Sequence, residues 1–87
     1  MKRLGKQEIK ITVILGKWAR KWATRHIVEE SVELTLPKGS TVEDILKIFS
    51  IRDSQVGKIV VDNELVERDF SPSEGDIIKI YPYMDAI

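Results

Sequence analysis

One amphipathic segment with clear start signals constrains the fold more than any other feature of this chain of 87 residues. Pro37 and Gly39 interrupt a preceding strand, and Ser40–Glu43 or Thr41–Asp44 has the spacing of a capping box. Within Leu36–Phe49, apolar residues recur at i, i+3, i+4 and i+7, which places them on one face of an α-helix: Val42, Ile45, Leu46 and Phe49. A single amphipathic helix cannot bury this face alone, so the rest of the chain must supply a surface.

Period-2 alternation and dense apolar runs elsewhere in the chain predict that this surface is a β-sheet. Asp62-Asn63 has the chemistry of a hairpin turn, because both residues tolerate positive φ. The predicted strands are Gln7–Leu15, Ser31–Leu36, Gly57–Val61, Glu64–Val66 and Ile77–Tyr81. The element order β-β-α-β-β-β predicts an α+β fold of the ubiquitin-like β-grasp type. In it, a mixed four- to five-stranded sheet packs on one helix, with the first and last strands parallel at its centre.

Length and composition predict a single domain at residues 7–87, preceded by a flexible lead-in at residues 1–6. No run approaches the roughly 18 apolar residues of a membrane span, and no signal-peptide core follows the basic start. The chain has no cysteine and only one histidine, His26. We therefore expect no disulfide, no metal site and no cofactor, and we take the cytoplasm as the default location.

Residues 16–26 are basic, and their conformation is ambiguous from sequence. The spacing of Trp18 and Trp22 fits a short helix, whereas an extended connection would let the two indoles cover one end of the core. A basic, Trp-containing surface would also suit nucleic acid, through Lys17, Trp18, Arg20, Lys21, Trp22 and Arg25. We favour the connection, since the formal net charge is zero and no other nucleic-acid signature is present.

The charges are distributed unevenly along the chain. Residues 1–26 carry eight Lys/Arg and one acidic residue, whereas residues 27–87 carry six Lys/Arg and thirteen acidic residues. Such asymmetry can steer partners or promote head-to-tail association. We expect neighbouring strands to interleave these charges and cancel much of the field.

No arrangement of residues predicts catalysis. The six serines have one histidine between them to act as a base, and no nucleophile-elbow motif surrounds any of them. A Gly-rich phosphate loop is also missing from the sequence. We therefore predict a protein that is not an enzyme and has no catalytic residues.

Two motifs, in order and at the right spacing, resemble the ThiS/MoaD family of small sulfur carriers. The first is the strand-to-helix segment Leu36–Leu46, and the second is the strand beginning Gly75-Asp76-Ile77-Ile78 and ending at Pro82. In that family a ubiquitin-activating-type enzyme adenylates the C-terminal carboxylate. The carboxylate then becomes a thiocarboxylate, which donates sulfur to thiamin or molybdopterin precursors. The resemblance covers about residues 7–87.

The family's chain ends in Gly-Gly, and alignment on Pro82 puts Ala86 and Ile87 at those positions. Glycine has no Cβ and can pass through a narrow active-site tunnel, whereas isoleucine brings a β-branched side chain beside the reacting carboxylate. The resemblance therefore implies a divergent homologue, tied to thiamin, molybdenum or tungsten cofactor biosynthesis, that acts by protein–protein contact.

The resemblance also implies a protein partner, either an adenylating enzyme or a cofactor-biosynthesis enzyme, and no membrane partner. The predicted contact surface is the sheet end and tail: Tyr81, Pro82, Tyr83, Met84, Ala86 and Ile87. Aromatic residues and methionine are favoured at interfaces. Two other functions remain open at this point, a nucleic-acid-binding module and a small structural subunit of an oxidoreductase complex.

Overall fold

The computed structural model describes residues 7–21 and 24–82, with the backbone alone described for residues 18–21 and 24–26. Five strands and one α-helix are the main elements of this part of the chain. The elements are β1 (Glu8–Lys21), β2 (Thr24–Pro37), α1 (Val42–Ile48), a 3-10 turn (Asp53–Gln55), β3 (Val56–Val61), β4 (Glu64–Leu65) and β5 (Ile77–Pro82). They form one mixed sheet in the order β2-β1-β5-β3-β4, and only β1 and β5 are parallel. The predicted β-grasp fold is confirmed, with parallel first and last strands at the centre of the sheet.

Helix α1 begins at the predicted place, and Thr41 and Asp44 form the capping box. The Thr41 side chain accepts a hydrogen bond from the Asp44 amide, and the Asp44 carboxylate accepts one from the Thr41 amide. The amides of Val42 and Glu43 donate to the carbonyl oxygens of Phe70 and Arg68, at 2.9 and 3.0 Å. The first three amides of the helix therefore have partners, and the segment after β4 fixes the position of the helix. The apolar periodicity extends to Phe49, but the last helical residue is Ile48. Phe49 is the C-cap of the helix and is half-buried.

The core lies between α1 and one face of the sheet. Its twelve buried apolar side chains are Ile9, Ile11, Val13, Leu15, Leu36, Val42, Ile45, Leu46, Ile59, Val61, Ile78 and Ile80. Alternate residues of β1 point into it, as the period-2 pattern predicts. Strand β2 contributes less than predicted, since Leu36 is buried but Leu34 and Val32 are half-buried. The reason is that β2 is an edge strand, with a neighbouring strand on one side only.

The prediction that a long loop joins the first two strands is wrong. Strands β1 and β2 pair antiparallel from Glu8–Pro37 to Lys21–Thr24, so residues 16–21 and 24–30 are paired strand. The predicted short helix is excluded for residues 16–21 and 24–26, and the favoured extended connection is extended there as paired strand. The local spacing of the tryptophans fits a helix, but pairing across the hairpin determines the backbone conformation here.

Within the described residues, no helix is long and apolar enough to cross a membrane.

Candidate functional site

The site that the sequence places at the end of the sheet is centred on Tyr81, near the C-terminal end of β5. This strand lies between β1 and β3, so Tyr81 has a neighbouring strand on each side. On the β3 side it is paired with Lys58, and on the β1 side the pairing with β5 ends at Leu15 and Ile80. By the alternation of strands, Tyr81 lies on the sheet face opposite the core, while Ile80 is buried under the helix.

The ring of Tyr81 lies against the backbone of Gly16 in β1. A Cβ atom placed on Gly16 would be 2.9 Å from Cδ1 of Tyr81 and 3.3 Å from both Ile27 Cγ2 and Pro82 Cδ. A contact of 2.9 Å is shorter than carbon atoms tolerate, so no larger residue fits at position 16 without displacing the ring. Glycine in this strand therefore provides the space in which Tyr81 is held.

Polar and charged groups on two other strands fix the same ring. The Tyr81 hydroxyl donates a hydrogen bond to Oε2 of Glu29 in β2, at 3.1 Å. The ammonium nitrogen of Lys58 lies 5.4 Å from the ring centroid, within the range of a cation–π interaction. Residues from β1, β2 and β3 thus hold Tyr81 in one orientation at the point where the chain leaves β5.

Burial and the carboxylate of Glu29 raise the pKa of the Tyr81 hydroxyl above its usual value of about 10. Burial is the larger cause, and Glu29 adds to it because tyrosinate would lose its hydrogen bond and face a negative charge. The folded state consequently holds this proton more tightly than the unfolded chain does. Its contribution to stability is present below pH about 10 and is lost as the pH rises through the folded-state pKa.

We expect Glu29→Gln to lower the pKa of Tyr81 towards its usual value, because the neighbouring negative charge is removed. The chain has two tyrosines, so a Tyr83→Phe background makes Tyr81 the one tyrosinate signal in an ultraviolet pH titration. Glu33→Gln is the matched control, since Glu33 lies on the same strand and is exposed, opposite Thr12 in register. Identical titration curves for the Glu29 and Glu33 variants would show that the hydrogen bond does not form.

An open, mainly apolar groove of about 390 Å³ lies at this end of the sheet, and Tyr81 is one of its lining residues. Its walls include Leu15, Phe49, Ile51, Gln55, Ile80 and Pro82. Phe49 and Ile51 are half-buried and pack against the core, so the core holds their side chains in place in the groove wall. The groove adjoins Pro82, the last described residue of the chain.

The structure covers the predicted contact residues only in part. Tyr81 and Pro82 lie together at the groove, whereas Tyr83, Met84, Ala86 and Ile87 lie outside the described residues. Of the basic set, Lys17 is exposed and forms a salt bridge of 3.3 Å with Glu30. Trp18, Arg20, Lys21 and Arg25 are placed by their backbone in the β1–β2 hairpin, and Trp22 lies outside the described residues. Both sets of site residues remain predictions.

Comparison with known proteins decides the family. A model of the ThiS family matches residues 23–84, more than half of the chain. The chain belongs to the ThiS family. Membership of this family agrees with the β-grasp fold. This ThiS-family chain is therefore a sulfur-carrier-like protein with a ubiquitin fold. Neither the curated proteins nor the solved structures gave a significant match.

Several residues that shape the site in this ThiS-family chain were not among its predicted site residues. Glu29 and Lys58 hold the Tyr81 ring, and Phe49 and Ile51 line the groove. Gly16 carried a usable signal, since an isolated glycine next to a strand pattern indicates close approach of another group. The others carried none, because their roles depend on which strands are neighbours in the sheet.

Proposed function

We propose that this chain is a divergent ThiS-family protein that binds an adenylating or cofactor-biosynthesis enzyme and is not itself an enzyme. The observation that carries the proposal is the groove beside Pro82, where β5 ends. Apolar walls and a fixed aromatic ring are typical of the centre of a protein interface, which excludes water and is rich in tyrosine. In the family, the segment that follows β5 enters the partner's active site.

We further propose that the chain acts by this contact without forming a thiocarboxylate. Alignment on Pro82 places Ala86 and Ile87 at the family's glycine positions. Both residues have a Cβ where the family has glycine, and Ile87 is also β-branched, so this segment fits a narrow active-site tunnel less well than two glycines do. The pathway is one of thiamin, molybdenum or tungsten cofactor biosynthesis, as for the sulfur carriers that this chain resembles.

Intact mass measurement tests this proposal directly. The protein of this sequence is incubated with an adenylating enzyme of the sulfur-carrier type, ATP and a sulfur source. We expect its mass to stay constant, whereas Ala86→Gly/Ile87→Gly should gain the mass of one oxygen replaced by sulfur, because the double variant restores passage through the tunnel. A mass gain in the unaltered protein would contradict the proposal and identify an ordinary sulfur carrier.

Binding to the same enzyme tests the surface separately. We expect the unaltered protein to form a complex in size-exclusion chromatography and Ile51→Arg to weaken it, because a charge would enter the apolar groove. Leu65→Arg is the matched control, since Leu65 is 71% exposed on β4, away from the groove. No complex with the unaltered protein, or equal weakening by both variants, would reject the groove as the contact surface.

A further inference from the structure

The sheet has one face that no described helix covers, and we call it the open face. Helix α1 and the buried core lie on the opposite side. Strand alternation and register place four apolar or aromatic residues on the open face around Lys79 of β5: Ile14, Val60, Ile77 and Tyr81. Ile77 is 49% exposed, and the other three are half-buried. Grouped apolar side chains on an uncovered face are typical of a protein interaction surface.

The charges of the open face are divided between its two sides. Glu29 and Glu33 point outward on β2, whereas Lys58 and Lys79 point outward on β3 and β5. All except the half-buried Lys79 are exposed. Among the described residues, neither of the two salt bridges involves any of these four charges. The open face therefore has an acidic side and a basic side, and β1 lies between them.

We propose that the open face binds a second copy of this chain and forms a two-fold symmetric dimer. An axis that runs along the strands, between β1 and β5, places β1 over β5 of the second copy and β2 over its β3. Glu29 and Lys58 lie in one cross-strand row, on either side of Tyr81, so Glu29 faces Lys58 of the second copy. Glu33 lies diagonally opposite Lys79 of the second copy. Symmetry makes each of these pairs occur twice.

The same axis buries the apolar centre of the open face. Strands β1 and β5 border the axis, so Ile14 and Ile77 of the two copies meet there. Removal of these side chains from water supplies the driving force for association. The aliphatic stem of Lys79 packs against Ile14 of the second copy, while its ammonium group reaches the acidic side. Strand β4 has no counterpart across the axis, so Leu65, which is 71% exposed, stays outside the contact.

Other arrangements of two copies oppose like charges. An axis across the strands would place β2 over β2 of the second copy, with Glu29 against Glu33. Pairing of the two β2 edges would bring together the glutamates of that strand, Glu29, Glu30 and Glu33. Like charges at opposed positions are destabilising. The charge pattern therefore favours the axis along the strands.

The contact is small, so the dimer should be weak. Four strands spaced about 4.8 Å apart and the six residues of β5 give a footprint of roughly 20 Å by 20 Å. An interface of this size is at the low end of specific contacts. We expect a monomer in dilute solution and a dimer at high concentration. The contact is independent of the proposed enzyme-binding groove, which lies at the end of the sheet.

Sedimentation velocity of the full-length protein over a range of concentrations tests the dimer without any enzyme. We expect Ile77→Gln to raise the dissociation constant of the dimer about tenfold, because the substitution enters the contact from both copies. Leu65→Gln is the matched control, since it removes an exposed aliphatic side chain outside the contact. Circular dichroism checks that both variants fold. A monomer at every concentration, or equal effects of the two variants, would overturn the proposal.

Charge reversal tests the axis itself. Glu29→Lys and Lys58→Glu should each raise the dissociation constant about tenfold, because each variant sets like charges against each other across the contact. An equimolar mixture of the two should dimerise as the unaltered protein does, because opposite charges then face each other at both positions. Glu43→Lys and Lys47→Glu make the same changes in net charge on exposed sites of α1 and should leave the dissociation constant unchanged. A mixture that does not recover would contradict this axis.

The enzyme-binding assay separates the dimer from the proposed function. Ile77→Gln should bind the adenylating enzyme as the unaltered protein does, since Ile77 does not line the groove. A protein that forms the enzyme complex but never dimerises would reject the dimer alone. Weakening of the enzyme complex by Ile77→Gln, with no dimer at any concentration, would assign the open face to the enzyme and reject the second copy.

Discussion

Ile45→Ala should lower the free energy of unfolding by about 2–5 kcal/mol, the range measured when a large aliphatic side chain is removed from a packed core. Ile45 is 0% exposed and lies at the centre of the helix face that meets the sheet. A domain of this size has a total stability of about 5–15 kcal/mol, so the loss is a large fraction of it. Urea unfolding followed by circular dichroism measures the difference.

Ile48→Ala is the matched control for this substitution. Ile48 is the last residue of the same helix and is 52% exposed, so the same three carbon atoms are removed from a largely solvated position. We expect a loss below about 1 kcal/mol, since little buried area disappears. Equal losses for the two variants would mean that the helix does not present Ile45 to the sheet.

Gly16→Ala should also destabilise the protein, by about 1–3 kcal/mol, because the new methyl group collides with the ring of Tyr81. This outcome runs against the usual effect of the substitution. Glycine to alanine at an unstrained position normally stabilises a protein by about 0.4–1 kcal/mol, because the unfolded chain loses freedom. Thermal or urea unfolding gives the sign. The raised pKa of Tyr81 should fall as well, since the displaced ring loses Glu29.

A double-mutant cycle with Tyr81→Ala isolates the collision. In the Tyr81→Ala background the 2.9 Å contact no longer exists, so Gly16→Ala should become neutral or slightly stabilising. The difference between the two backgrounds is the coupling between Gly16 and Tyr81. A cost that is the same in both backgrounds would place the conflict elsewhere, at Ile27 or Pro82, which approach the same Cβ position at 3.3 Å.

Local signals were sufficient to predict the helix and the order of the elements. The capping box of Thr41 and Asp44 joins residues three apart, and the helix face repeats within two turns, so both are visible in a short window. The turn at Asp62-Asn63 is confirmed by positive φ values of 54° and 65°, a conformation that these two residue types tolerate. The short strand β4 follows from that turn.

The β1–β2 pairing beyond Leu15 and the surroundings of Tyr81 could not be predicted in the same way. Residues 16–21 are extended because residues 24–29 pair with them, and neither stretch has clear period-2 alternation of its own. One neighbour of Tyr81, Glu29, is 52 residues away in the chain, and another, Lys58, lies two strands earlier in β3. Only the order of strands in the sheet brings these groups together. The predicted contact residues Tyr81 and Pro82 are placed at one groove, but their role still rests on the family resemblance.

The central position of β5 has a consequence for how the protein is made. This strand follows the other four described strands along the chain, yet it lies between the β1–β2 and β3–β4 hairpins and joins them into one sheet. Its parallel pairing links Thr12 with Ile77, so the chain must close its largest loop before the core is complete. On the ribosome, each hairpin would emerge with its apolar face uncovered. Docking of β5 therefore joins the two hairpins and completes the core in a single step.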